Sequence, residues 1–229
     1  IGADQIRDDL ARVSVMALAF VAQSARGLGK PMVPQSEVDK AETIVERFMI
    51  RWKGDPDPQH TKAVDAYFVS AAEHGMNAST FTARVIASTG ADAADSISGA
   101  IGALFGQLHG GAPSRVLTML DDVEKSGDPS AYVKKELDAG RRLMGFGHRV
   151  YRAEDPRARV LRRTAAELGS SRYEVAEALE KAAIEELTNR YPDRPLRTNV
   201  EFWSAVVLDF AEVPAHMFTS MFTCARTAG

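Results

Sequence analysis

Five histidines occur in the 229 residues, and three of them stand where helices are expected to break: His74 before Gly75, His109 before Gly110-Gly111, and His148 after Gly145-Phe146-Gly147. Groups that do chemistry favour such loops when a rigid scaffold holds them. Their separations, all above thirty residues, fit no local metal-binding motif. Charge is the second signal. Arg141, Arg142, Arg149, Arg152, Arg157, Arg159, Arg162 and Arg163 stand within one stretch against only Glu154 and Asp155, a local balance of +6 in a chain of net charge −3. A compact basic patch on an acidic protein predicts an anionic ligand, and the Gly-x-Gly-His loop inside it favours that over a solvated helix face. Net −3 argues against a nucleic-acid binder. Arg226 lies alone in the apolar run 217–228, where an arginine needs an anionic partner. Glu201 follows Asn199 as a first-turn acid, a position that keeps a carboxylate ionised. Asn77 reads as a helix terminus, and Cys224 as a small core residue.

The elements that must position these groups are helices. Apolar residues recur at helical spacing at Ile6, Leu10, Val13, Ala17 and Phe20, at Val64, Tyr67 and Ala71, and at Val175, Leu179, Ala182, Ile184 and Leu187. No stretch of four or more residues alternates polar with apolar and is rich in β-branched residues, so the chain is predicted to be almost wholly helical. Breaks are expected at 27–34, 53–58, 75–77, 110–113, 126–129, 155–156, 191–197 and 213–214, where Gly, Pro and Asn cluster. Pro129 suits a first helical turn and Asp155 an N-cap. The Gly/Ala/Ser-rich segment 87–106 is expected to be buried, either between helices or at a subunit contact.

A length of 229 residues allows one large domain or two modest ones. No apolar run reaches membrane-spanning length, and Ile1-Gly2-Ala3-Asp4 lacks a secretory pattern. One cysteine permits no internal disulfide, which fits a reducing cytoplasm. A start without methionine and an end inside an apolar run read as the interior of a longer protein.

The segment Gly145 to Arg157, Gly-Phe-Gly-His-Arg-Val-Tyr-Arg-Ala-Glu-Asp-Pro-Arg, closely resembles the signature of the citrate synthase family. Four more blocks resemble that family in the same order: His74-Gly-Met-Asn77-Ala-Ser-Thr, Leu108-His109-Gly-Gly-Ala, Asn199-Val-Glu-Phe-Trp-Ser, and Met217-Phe-Thr through Cys224-Ala-Arg226-Thr. The resemblance implies an all-α, two-domain fold in which a smaller helical domain closes over a cleft in a larger one. The large domain would span residues 1–111 and return at 213–229, with 112–212 as the small domain. It implies condensation of acetyl-CoA with oxaloacetate, with the citryl-CoA intermediate then hydrolysed. The coenzyme A thioester would be a substrate, with no metal and no other cofactor.

The same resemblance assigns the base to Glu201, the enol-stabilising donor to His109 and the ketone-polarising donor to His148. His74, Arg157 and Arg226, with Asn77 supporting, would hold the carboxylates. The Gly145-Phe146-Gly147 backbone and Arg149 would meet the nucleotide end of CoA. A homodimer is implied, in which an arginine of the second copy, beyond Gly229, completes each site. In one respect the chain departs from the family, which usually has aspartate at the position of Glu201. The chemistry needs each of these groups: a carboxylate to take a methyl proton, a donor for the enolate oxygen and fixed cations for two carboxylates. Two other readings stand beside this one. In the first, propionyl-CoA replaces acetyl-CoA and the product is 2-methylcitrate, since one methylene changes binding by only about 1–3 kcal/mol. In the second, the chain is a non-catalytic paralogue that binds CoA or a dicarboxylate.

Overall fold

The computed structural model describes residues 2–106, 109–148, 151 and 153–229, with the side chain of Ala112 excepted. Among the described residues the chain is helical throughout, as its periodicity predicts. Twelve α-helices and one short 3-10 turn follow one another, and the only extended pairing is an isolated antiparallel bridge between Phe146 and Thr198. The expected breaks become helix ends for identifiable reasons. Thr43 and Glu46 form a reciprocal capping box at α3 (Ile44–Lys53). Asp57, Asn77, Asp92, Asp128, Asp155 and Asn199 each accept a backbone N–H at the start of the following helix. Three of those starts place proline in the first turn.

The chain divides into two compact units. Unit 1 is Ile1–Gly111 with Thr219–Gly229. Its core gathers Phe48, Met49 and Trp52 of α3 with Tyr67 and Phe68 of α4 (Pro58–Ala71), the Phe48 and Phe68 rings meeting edge-on at 5.6 Å. Helix α1 (Ala3–Arg26) joins α12 (Phe218–Arg226) where Ser14 Oγ donates to Thr227 O at 2.7 Å. The apolar stripe read on α1 does not face this core: Ile6 and Leu10 are 42% exposed and Phe20 is 64% exposed. Of the two expectations for segment 87–106, burial between helices of this chain does not hold. Within the chain it is not buried, apart from Ser96 and Leu104. Its small residues let α6 (Ala93–Leu104) approach α5 (Ala78–Ala87) closely. A Cβ at Gly99 would fall 2.2 Å from Cδ1 of Ile86.

Unit 2 is Ala112–Phe218. It is built around α11 (Val200–Phe210), whose residues from Phe202 to Leu208 are all at most 2% exposed. A helix apolar on every face must be enclosed. Here α7 (Ala112–Ser126) and α9 (Pro156–Glu167) pack against it. Trp203 donates its indole N–H to the buried carboxylate of Glu180 on α10 (Tyr173–Arg190) at 3.0 Å. Arg172 ties Asp121 of α7 to Asp209 of α11.

Candidate functional site

In unit 1 the groups cluster around the end of α4 and the start of α5. His74 is half-buried in the turn after α4, where Gly75 takes φ +53°. Asn77 caps α5: its Oδ1 accepts from Thr80 N at 3.1 Å and from the Ser79 hydroxyl at 2.7 Å. Ser79 Oγ lies 3.1 Å from His109 Nε2. His109 is anchored through its neighbour Gly110, whose N–H donates to Leu104 O at 2.8 Å and whose carbonyl accepts from Thr219 Oγ1 at 3.0 Å. A side chain at Gly110 would meet Leu104 O at 2.5 Å, so only glycine fits. Arg226 is buried, donates from Nε to Ala71 O at 2.8 Å and stacks 4.7 Å over the Phe222 ring. A helix-end carbonyl and an aromatic face thus meet part of the need for a negative partner. Burial, and then the charge of Arg226, hold the His109 imidazole below its ordinary pKa, so the ring is neutral near pH 7.

In unit 2 the signature loop is held by backbone bonds. Gly145 and Gly147 take φ +85° and +84°, and a Cβ on Gly145 would lie 2.7 Å from that of Phe202. Gly147 N–H donates to Arg197 O at 2.7 Å and Asn199 N–H to Gly145 O at 2.9 Å. His148 Nδ1 accepts the Tyr151 N–H at 3.1 Å, so in the neutral ring the proton sits on Nε2. Burial lowers the His148 pKa; Asp155 opposes that shift and Arg157 adds to it.

Asp155 is 1% exposed and does more than cap α9. One oxygen accepts Arg157 N and Nε, both at 3.0 Å; the other accepts Arg157 Nη2 at 2.8 Å and Val200 N, the first N–H of α11, at 3.0 Å. Burial alone would raise its pKa, but the Arg157 bonds and charge and the Val200 N–H override that and hold it below the usual range. Glu201 follows Val200, half-buried, with its N–H on Asn199 Oδ1 at 3.0 Å. Burial pushes its carboxyl up to about 7; the Arg142 and Arg157 charges oppose the rise and Asp155 adds to it.

One sequence reading needs correction. The +6 counted along residues 141–163 is not +6 in space. Arg141 is held by Glu136, Arg157 by Asp155, Arg162 by Glu177 and Glu180, and Arg163 by Glu167. Most of these acids lie outside the counted window, which is why a local count misses them. In the Gly145-Phe146-Gly147 loop, read as a CoA contact, the Gly147 N–H donates to Arg197 O and the Phe146 side chain is buried. Arg149, read as a further CoA contact, lies outside the described residues. Sequence reasoning gave Ser79 no role and saw Asp155 only as a cap. Cys224 is buried and its thiol is pushed up to about 12, as befits a core residue.

A family model described as "Citrate synthase, C-terminal domain" matches residues 3–229. The chain belongs to the citrate synthase family. It is 68% identical over 223 residues to the Mycobacterium tuberculosis protein named "Putative citrate synthase 2", covering 97% of this chain and 60% of that one. Among solved structures it is similar to citrate synthase from Thermotoga maritima, with a TM-score of 0.86 and 33% identity over 99% of this chain and 62% of that one. It is also similar to Thermoplasma acidophilum citrate synthase, solved as a ternary complex with carboxymethyl coenzyme A and oxaloacetate, with a TM-score of 0.84 and 27% identity over 100% of this chain and 61% of that one. The chain therefore spans about three fifths of the length of each of these three relatives. Among its described residues no helix is long and apolar enough to cross a membrane.

Proposed function

We propose that this chain carries the reacting groups of a citrate synthase, condensing acetyl-CoA with oxaloacetate and hydrolysing citryl-CoA to citrate and CoA. The observation that carries the reading is the carboxyl of Glu201, at the buried start of α11 with a pKa near 7, in the same unit as a neutral His148 whose proton is on Nε2. A base titrating near neutrality is matched to proton abstraction at physiological pH. Glu201 takes a proton from the methyl group beside the thioester, and His109 donates a hydrogen bond to the oxygen as the enolate forms. A neutral His109 has one N–H, so donation through Nδ1 requires the single Ser79 Oγ–H to turn from Asn77 Oδ1 to His109 Nε2. His148 Nε2–H polarises the ketone, and the new carbon–carbon bond turns the ketone oxygen into a hydroxyl. Arg226, His74 and the remaining N–H donors of Arg157 hold the carboxylates, with Asn77 supporting.

A second copy of the chain is part of this proposal. The exposed apolar residues Phe20 of α1, Phe81 and Val85 of α5 and Phe105 after α6 are candidates for that contact. Thiol release from acetyl-CoA in the presence of oxaloacetate tests the reading, with propionyl-CoA as comparison. Release that depends on oxaloacetate and a larger kcat/KM for acetyl-CoA are expected. Preference for propionyl-CoA would make the protein a 2-methylcitrate synthase, and binding of either thioester without release would make it a non-catalytic paralogue.

A further inference from the structure

We infer that Asn199 is a positioning residue that sets His148 and Glu201 relative to each other; the inference rests on the functional reading above. Asn199 is 8% exposed, and its polar groups hold both neighbours at once. Its backbone N–H donates to Gly145 O at 2.9 Å, its Nδ2 donates to Gly147 O at 2.9 Å, and its Oδ1 accepts the Glu201 N–H at 3.0 Å. One planar amide therefore fixes the first turn of α11, which carries Glu201, and the carbonyl of the residue before His148. A helix cap needs only an acceptor, which Asp or Ser supplies as well as Asn. What Asn adds is a second polar atom, the Nδ2 donor, separate from the accepting oxygen, and here that donor reaches the histidine loop, 52 residues away in sequence. Asp155 also grips α11, through Val200 N, but its carboxylate meets Arg157 and Val200 and its N–H meets Thr198 O, whereas the Gly147 carbonyl is met by Asn199. A misplacement of about 1 Å can cost on the order of a hundredfold in rate.

The full-length protein with Asn199→Asp or Asn199→Ser tests this, since both variants keep a cap, Asp carries no donor, and the Ser hydroxyl ends one bond short of the Asn199 Nδ2 position. Thiol release is measured at saturating substrates above pH 8, on the plateau of the Glu201 titration. Each variant is expected to lower kcat about 10- to 100-fold. In a His148→Ala background the same substitutions should cost less than about threefold, because groups that act as a unit are non-additive. Equal fold-losses in both backgrounds, or no loss in the parent background, would overturn the inference. If the parent releases no thiol from any acyl-CoA, the functional reading fails, and the ¹⁵N resonances of the His148 ring judge the positioning alone. The parent ring should carry its proton on Nε2, and the Asn199 variants should show a mixture of tautomers. Unchanged His148 resonances would overturn the positioning role.

Discussion

The two histidines are held by different means. The His109 ring is oriented by side-chain contacts, the Ser79 hydroxyl, itself tied to a helix cap, and the Phe222 ring, met edge-on at 5.7 Å. His148 takes its tautomer from a backbone N–H, in a loop pinned by glycines that no other residue can replace and by a buried ion pair next to it. Unit 1 therefore holds its candidate group in part by a link that a single substitution removes cleanly. Unit 2 holds its groups by links that also hold the fold. Mutations in the first should separate activity from stability, and mutations in the second should mix them.

Glu201→Gln should give the largest effect on turnover, lowering kcat by about 10²- to 10⁴-fold with oxaloacetate binding nearly intact. The parent activity should rise with pH through about 7, as the carboxyl ionises. The stability sign is opposite. A carboxyl whose folded pKa exceeds its unfolded value of 4.5 holds its proton more tightly when folded, so its contribution is full at low pH and is lost as pH rises towards about 7. Urea melts should find Glu201→Gln more stable than the parent at pH 8, by at most about 3 kcal/mol, and no more stable at pH 4. A variant that keeps exchanging acetyl-CoA methyl protons would remove Glu201 as the base.

Asp155→Ala should cost on the order of 3 kcal/mol, because it leaves the Arg157 guanidinium and the Val200 N–H without their buried acceptor. Activity should fall with stability, as the comparison requires; full activity at a lowered urea midpoint would break it. Ser79→Ala should be the mildest, within about 1 kcal/mol in stability and about tenfold down in kcat, since the His109 tautomer loses its partner. A large loss of stability there would show that unit 1 is built like unit 2.

The helix ends were legible because they are local. Asp57-Pro58, Asp128-Pro129, Asp155-Pro156 and Asn199 carry their capping chemistry within three residues. The five blocks that resemble the citrate synthases were legible as a set. What could not be read depends on partners far along the chain. The pairs of Arg162 with Glu177 and Glu180, the bond from Asp155 to Val200 and that from Ser79 to His109 join residues 15 to 45 positions apart. Burial of segment 87–106 between helices of this chain does not hold because small residues signal close approach without saying to what; α5 is the answer within this chain.

The enclosure of α11 has a kinetic counterpart. Its amides from Phe202 to Leu208 lie in a helix whose every face is covered, so no small fraying motion can open them to solvent. Deuterium should enter that stretch only when the protein unfolds as a whole, among the last of any segment to exchange. The carboxylate proposed to move a proton on every turnover is thus mounted at the edge of the part of the molecule that moves least.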